Sequence, residues 1–259
     1  MQIKLDIKQA EEWAKRTEGH IYIADQAHFR HSDLFLKNYT ELEESIKLAL
    51  NGEITEQKFN YEKSDTKIIY YKGRIQAEPL NEGIRKRFKK SKFEFKYEVT
   101  YKDGVFFSSL KKGGFDFAYI DNQYNLINFR NFCFGERAIL KGQELWLKEL
   151  DKRPTWNELS KKIDLDTPIG TDVDFKKQFP TILGEIQFGN WGLVYRDILK
   201  IIQIERDTDV GLFIYITATG NLSNAISGST VSFKKTKAIF EEFKNVLSMP
   251  IWLIGVDIK

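Results

Sequence analysis

The run Val210–Ala218 (VGLFIYITA) sets the tightest limit on what this chain folds into. It is almost wholly apolar, rich in β-branched and aromatic residues, and shows no alternation with polar ones. Such a segment is stable as a strand only when both of its faces are covered, and helices packed on the two sides of a sheet do that. The closing run at 250–258 (PIWLIGVDI) has the same character. Between them, residues 233–247 read as a helix, with Ile239, Phe240, Phe243, Val246 and Leu247 on one stripe. Upstream, the pattern predicts strands at 171–175 and 181–188 and a helix at 193–204. Strand, strand, helix, strand, helix, strand is an α/β layer arrangement.

The first half is less regular. Residues 6–16 predict a helix with Ile7, Ala10, Trp13 and Ala14 on one side. A second helix is expected over 32–50, capped by Ser32 and stopped by Asn51-Gly52. Phe93, Phe95, Tyr97, Val99 and Tyr101 then alternate with Lys92, Glu94, Lys96, Glu98 and Thr100, the period of a half-buried strand. Asp103-Gly104 follows as a hairpin turn, Gly113-Gly114 marks another, and Thr155 with Glu158 predicts a capping box opening a helix over 155–163. With no repeat or linker to guide it, the boundary between an N-terminal helix-plus-hairpin region and the α/β block is set at 1–135 and 136–259.

Composition narrows the classes. Over 259 residues, 42% hydrophobic and 14% aromatic content excludes disorder and allows a sizeable core. The single cysteine, Cys133, excludes an internal disulfide and a multi-cysteine metal cluster, and fits a reducing cytoplasm. No secretory signal is expected in MQIKLDIKQAEEW, and apolar stretches near eight residues are too short for a membrane span. A net charge of +3 from 40 Lys+Arg and 37 Asp+Glu does not by itself select nucleic acid, so local clustering must decide.

The chemistry concentrates in Gly170-Thr-Asp-Val-Asp-Phe175 and Thr181-Ile-Leu-Gly-Glu-Ile-Gln-Phe188. In strands, Asp172 and Asp174 share one face, and Glu185 and Gln187 share one face. Paired as a hairpin, the two segments bring an aspartate and a glutamate to one end of a rigid sheet. Two carboxylates beside an open position suit Mg²⁺, which is usually held by one or two carboxylates plus phosphate oxygens. An acidic hairpin on a solvated face shows the same alternation. Against that, Glu185 and Gln187 lie within a strongly apolar block, where unpaired burial is costly. Gly184, next to Glu185, marks a bend or a close backbone approach.

From Thr167 to Ile258 the chain resembles the catalytic core of BglII-type restriction endonucleases, within the PD-(D/E)XK nuclease fold. The resemblance rests on GTDVDF at 170–175, E-I-Q-F-x-N at 185–190, the strand ending in Ile216-Thr217, and PIWLIGV at 250–256. It implies a mixed central sheet flanked by helices, with the first 130 or so residues as an α+β extension that has no aligned counterpart. It also implies Asp174 and Glu185 as catalytic acids and metal ligands, the Ile186 carbonyl as a further ligand, and Gln187 in place of the superfamily's usual lysine. The linker between Asp174 and Glu185 is slightly longer than the family's, so Asp172 is the alternative to Asp174. Glutamine can orient a water but cannot act as a base, which leaves water activation to the metal.

The resemblance further places Asn190, Lys200 and the polar loop 221–230, with Asn224, Ser227 and Ser229, near DNA. The basic run 85–92 (RKRFKKSK), with Arg85, Lys86, Arg87, Lys89 and Lys90, is expected to neutralise phosphates, with a solvated edge as the alternative. His20, His28 and His31 make no zinc pattern with Cys133. The function that the resemblance implies is that of a Mg²⁺-dependent type II restriction endonuclease acting on a specific double-stranded DNA sequence. It would work as a homodimer, without membrane association, in a host whose cognate methyltransferase protects its DNA. The N-terminal region would serve DNA wrapping or dimer contacts. A repair or structure-specific nuclease of the same fold, and a non-catalytic DNA-binding protein, are the competing expectations.

Overall fold

The computed structural model describes residues 4–64, 69–108, 114–162, 168–207, 210–226 and 231–259. The first half runs β1 (Lys4–Leu5), α1 (Ile7–Ala14), β2 (Gly19–Phe29), α2 (Ser32–Asn38), α3 (Thr40–Ala49), β3 (Gly52–Ile54), β4 (Phe59–Lys63), β5 (Tyr71–Ile75), α4 (Ala77–Phe88), β6 (Lys96–Lys102), β7 (Val105–Ser108), β8 (Phe115–Tyr119) and α5 (Asn122–Phe134). The second half runs α6 (Gly142–Lys152), α7 (Pro154–Ser160), β9 (Thr181–Gln187), α8 (Leu193–Asp207), β10 (Val210–Ala218), α9 (Gly220–Ala225), α10 (Phe233–Glu242) and β11 (Ile251–Ile258).

The apolar run Val210–Ala218 forms β10, a strand inside an eight-stranded mixed sheet of order β3-β2-β11-β10-β9-β8-β6-β7. β9, β10 and β11 are parallel, and crossovers through α8 and through α9 and α10 join them, as parallel neighbours require. β8 and β2 flank this parallel core antiparallel. Alternation along the strands then divides the interior. Ile182, Ile186, Ile214, Ile216, Trp252 and Ile254 face Leu42, Ile46, Leu80, Ile84 and Phe88 of α3 and α4. Leu183, Phe213, Tyr215, Ile251 and Leu253 face Val194, Ile198, Ile201 and Phe240 of α8 and α10. A separate cluster ties α5, α6 and α7 together through Leu126, Phe129, Trp146 and Trp156.

Several expectations change. Five of the eight strands precede residue 135, so the sheet does not divide at the expected boundary. The helix expected over 32–50 breaks at Tyr39, whose backbone leaves the helical region. The strand expected from Phe93 starts at Lys96, because Phe93 and Phe95 turn into an aromatic cluster with Phe117 and Tyr119. Thr155 lies inside α7 behind Pro154, and Glu158 pairs with Lys161 at 2.7 Å, so no capping box forms. The turn at Asp103-Gly104 is present, with both residues at positive φ; Gly113 lies outside the described residues.

The most consequential change concerns 171–175, which is coil. Asn131 of α5 satisfies both the N–H and the carbonyl of Val173 at 2.8 Å, and Arg130 reaches the carbonyls of Thr171 and Pro168. The segment is tied to a helix instead of to β9.

Gly184 in β9 is a close approach. A Cβ there would meet the Phe117 ring, which is fully buried against Phe88 and Phe95 at centroid distances of 4.9 and 5.5 Å. Gly184→Ala is therefore expected to lose roughly 1–3 kcal/mol of stability in urea unfolding. An unchanged midpoint would show that the ring yields freely.

Candidate active site

The β8–β9 ladder ends with Phe117 opposite Gly184. One position further on stand Asp116 and Glu185, and there a side chain takes over from the backbone: Asp116 Oδ2 accepts from the Ile186 N–H at 2.7 Å. Arg85 of α4 pairs with Asp116 and, at 2.8 Å, with Glu98 of β6. Glu185 lies on the sheet face covered by α8, where Lys200 donates to its Oε1 at 2.8 Å and to the Gly114 carbonyl at 3.3 Å. Three residues earlier on the helix, the fully buried Asp197 accepts from Gln187 Nε2 at 3.2 Å, the Tyr215 hydroxyl at 3.1 Å and Arg196 at 3.0 Å. Gln187 Oε1 accepts from the Gly189 N–H at 2.9 Å.

These groups open onto a cavity of about 410 Å³ whose lining carries five carboxylates, Glu78, Glu82, Glu98, Asp116 and Glu185, against two guanidiniums, Arg85 and Arg196. The excess of negative charge favours a cation. Asn81 also lines it, and its Oδ1 is buried without a partner among the described residues. Another concavity, of about 370 Å³, is bounded by Tyr39, Phe93, Tyr119 and Phe179 and carries a single carboxylate, Glu41. The chemistry therefore belongs to the first. No group of three or more His, Cys, Asp or Glu side chains converges on a metal position among the described residues, so a cation here would rest on two carboxylates. That matches the way Mg²⁺ is usually held, with most of its shell left to water and phosphate.

Burial pushes the Glu185 carboxyl well above the usual carboxylate range, the charges of Asp116 and Asp197 push it further, and Lys200 opposes them. Burial, with Asp197 next in size, likewise raises the Tyr215 hydroxyl.

The structure brings together only part of the expected site. Glu185, Ile186 and Gln187 line the cavity, but Gln187 is committed at both ends of its amide. Asp174 is exposed in coil and lines no part of the cavity. Its loop leads into Thr181, where Phe179 stacks on Tyr119 at 4.4 Å and the Gln178 N–H reaches Asp121 at 2.8 Å. That end of β9 is about 13 Å of strand away from Glu185. Asp172 serves the backbone of Glu136, accepting its N–H at 3.0 Å. The acid beside Glu185 is Asp116, which sequence reasoning missed. Its signal was a lone carboxylate inside the apolar strand Phe115–Tyr119 (FDFAY).

The residues expected at DNA also scatter. Lys200 is held inside, on Glu185. Exposed Asn190 accepts from the Gly192 N–H at 2.9 Å, half-buried Asn224 donates to the Gly220 carbonyl at 2.8 Å, and Ser227 and Ser229 lie outside the described residues. The basic run is not one strip. Arg85 faces the cavity, while Arg87 donates to the carbonyls of Leu48 and Ala49 in the last turn of α3 and of Asn51 and Glu53 just beyond it. Lys86 pairs with Glu56, Lys89 lies over the Tyr97 ring at 5.4 Å, and Lys90 is exposed.

The frame is thus a mixed sheet flanked by helices, with Asp116 and Glu185 side by side at the end of the β8–β9 ladder. The model of the restriction endonuclease BglII/BglIII family matches residues 24–256, so the chain belongs to that family and is a type II restriction endonuclease. The match reaches well into the first half, beyond the third of the chain in which a resemblance was legible. The crystal structure of BglII complexed with a DNA 16-mer is similar to 91% of this chain and 75% of that one, at 14% identity and a TM-score of 0.44. Free BglII is similar to 91% of this chain and 78% of that one, at 13% identity and a TM-score of 0.40. No curated protein matches the chain.

Because the folded state favours neutral Glu185, that group's stabilisation is fully present below the unfolded carboxylate pKa and is lost as pH rises through the raised, folded one. In EDTA at pH 8, Glu185→Gln should unfold at a higher temperature than wild type, with the gap closing toward pH 4. A lower melting temperature at pH 8 would contradict the assigned cause.

Proposed function

We propose that this restriction endonuclease hydrolyses phosphodiester bonds at a specific double-stranded DNA sequence, with Mg²⁺ held by Asp116 and Glu185. One observation carries the reading: the two carboxylates occupy facing positions on adjacent strands, beside a cavity lined mainly by acids. Bound Mg²⁺ would polarise a phosphoryl oxygen and acidify a water. The chain's own part is positioning. Ile186 N–H and Arg85 fix Asp116, and Lys200 fixes Glu185. Arg196 and Arg85 present guanidinium groups at the cavity, suited to the paired oxygens of a phosphate. Gln187, bonded to Asp197 through its Nε2 and to the Gly189 N–H through its Oε1, organises the site.

The active species would be a homodimer, because one acidic pair serves one strand, and two dyad-related strands are most simply cut by two dyad-related subunits.

The test is cleavage of supercoiled plasmid DNA in Mg²⁺ by wild type, Asp116→Asn and Asp174→Asn, with DNA binding followed in Ca²⁺. Asp116→Asn should bind DNA but cut about a thousandfold more slowly, equivalent to about 4 kcal/mol of barrier. Asp174→Asn should cut like wild type. The reverse pattern would return the role to Asp174. Wild-type linearisation of the plasmid in one concerted step supports the dimer, and nicked circles accumulating to completion contradict it.

A further inference from the structure

Lys200 is placed with more care than a counter-ion needs. Its ammonium has three protons and three acceptors around it: Glu185 Oε1 at 2.8 Å, the Gly114 carbonyl at 3.3 Å and Asp197 Oδ1 at 3.5 Å. Its Nζ also lies over the Phe115 ring, 5.3 Å from the centroid. The anchor is itself anchored, since Gln187, Tyr215 and Arg196 all donate to the fully buried Asp197. Glu185, by contrast, is held through one oxygen. Among the described residues Oε1 has Lys200 and Oε2 has no hydrogen-bond partner.

We propose that Lys200, fixed by Asp197, is a positioning residue that clamps one oxygen of Glu185 and so orients the other for a divalent cation. Two of its protons go to Glu185 and Gly114 and its charge faces Asp197 at 3.5 Å, so Lys200 is placed to act through Glu185. The inference rests on Glu185 being a metal ligand, as proposed above. Partners that orient a ligating side chain typically change metal affinity 10–100-fold when removed.

A plain counter-ion makes the opposite prediction. Removing a positive charge beside a cation site relieves repulsion and tightens the cation, whereas removing a clamp loosens it. The experiment is Mn²⁺ titration of the full chain without DNA, with free ion read by electron paramagnetic resonance. Wild type, Lys200→Met, Lys200→Arg, Asp197→Asn and Glu185→Gln are compared, each checked for folding by circular dichroism. Lys200→Met should bind Mn²⁺ about 10–100-fold more weakly, although the protein has become more negative. Lys200→Arg should recover most of the loss, and Asp197→Asn, which keeps the ammonium but loosens its anchor, should fall between. If Lys200→Met does not fold, Lys200→Gln, which also removes the positive charge, takes its place in the comparison.

Wild-type or tighter binding in Lys200→Met or in Asp197→Asn overturns the clamp, even where Glu185→Gln abolishes binding and upholds Glu185 as a ligand. Binding by Glu185→Gln equal to wild type removes Glu185 from the metal site, and the clamp falls with it.

Discussion

A single hydrogen bond, from the Ile186 N–H to Asp116 Oδ2 at 2.7 Å, holds the proposed site together. At that point the backbone ladder of two antiparallel strands stops and a side chain continues it. The bond fixes the aspartate against the strand that carries Glu185, and the sheet supplies the rigidity. Everything else nearby is a response to carboxylates crowded in a buried place. Arg85 approaches from α4, and Lys200 and Arg196 approach from α8. Unpaired charge at this depth would cost several kcal/mol, and such groups are tolerated when each finds partners of good geometry.

The parallel core was legible in the sequence because its signals are local. Val210–Ala218 became β10 at its expected limits, and strands arose at 181 and 251 within a residue of expectation. A run of apolar residues too short for a helix and too uniform for a half-buried strand leaves few alternatives. β2 was not legible. Its residues, GHIYIADQAHF, mix polar with apolar, and they form a strand because β11 offers a long edge from the other end of the chain.

The proposed site was half legible for the same reason. Glu185 and Gln187 stand out as polar residues in an apolar block. The partner acid was sought within reach along the chain, and Asp174 fitted that search. In the folded protein one neighbour of β9 is β8, separated from it along the chain by three helices, and pairing across such a distance leaves no trace in local spacing. The basic run was misleading in another way. Composition counts Arg85 and Arg87 as surface charge, but one is drawn into the acidic cavity and the other to the bare carbonyls ending α3. The last carbonyls of a helix lack partners further along it and draw donors such as this guanidinium.

The central claim is that the divalent cation sits between Asp116 and Glu185. Crystals of the protein equilibrated with Mn²⁺ and measured at the manganese absorption edge test it directly, because the anomalous signal marks the ion without reference to activity. The expected result is a peak in contact with carboxylate oxygens of both Asp116 and Glu185. A peak on Asp172 or Asp174, with none between β8 and β9, would contradict it.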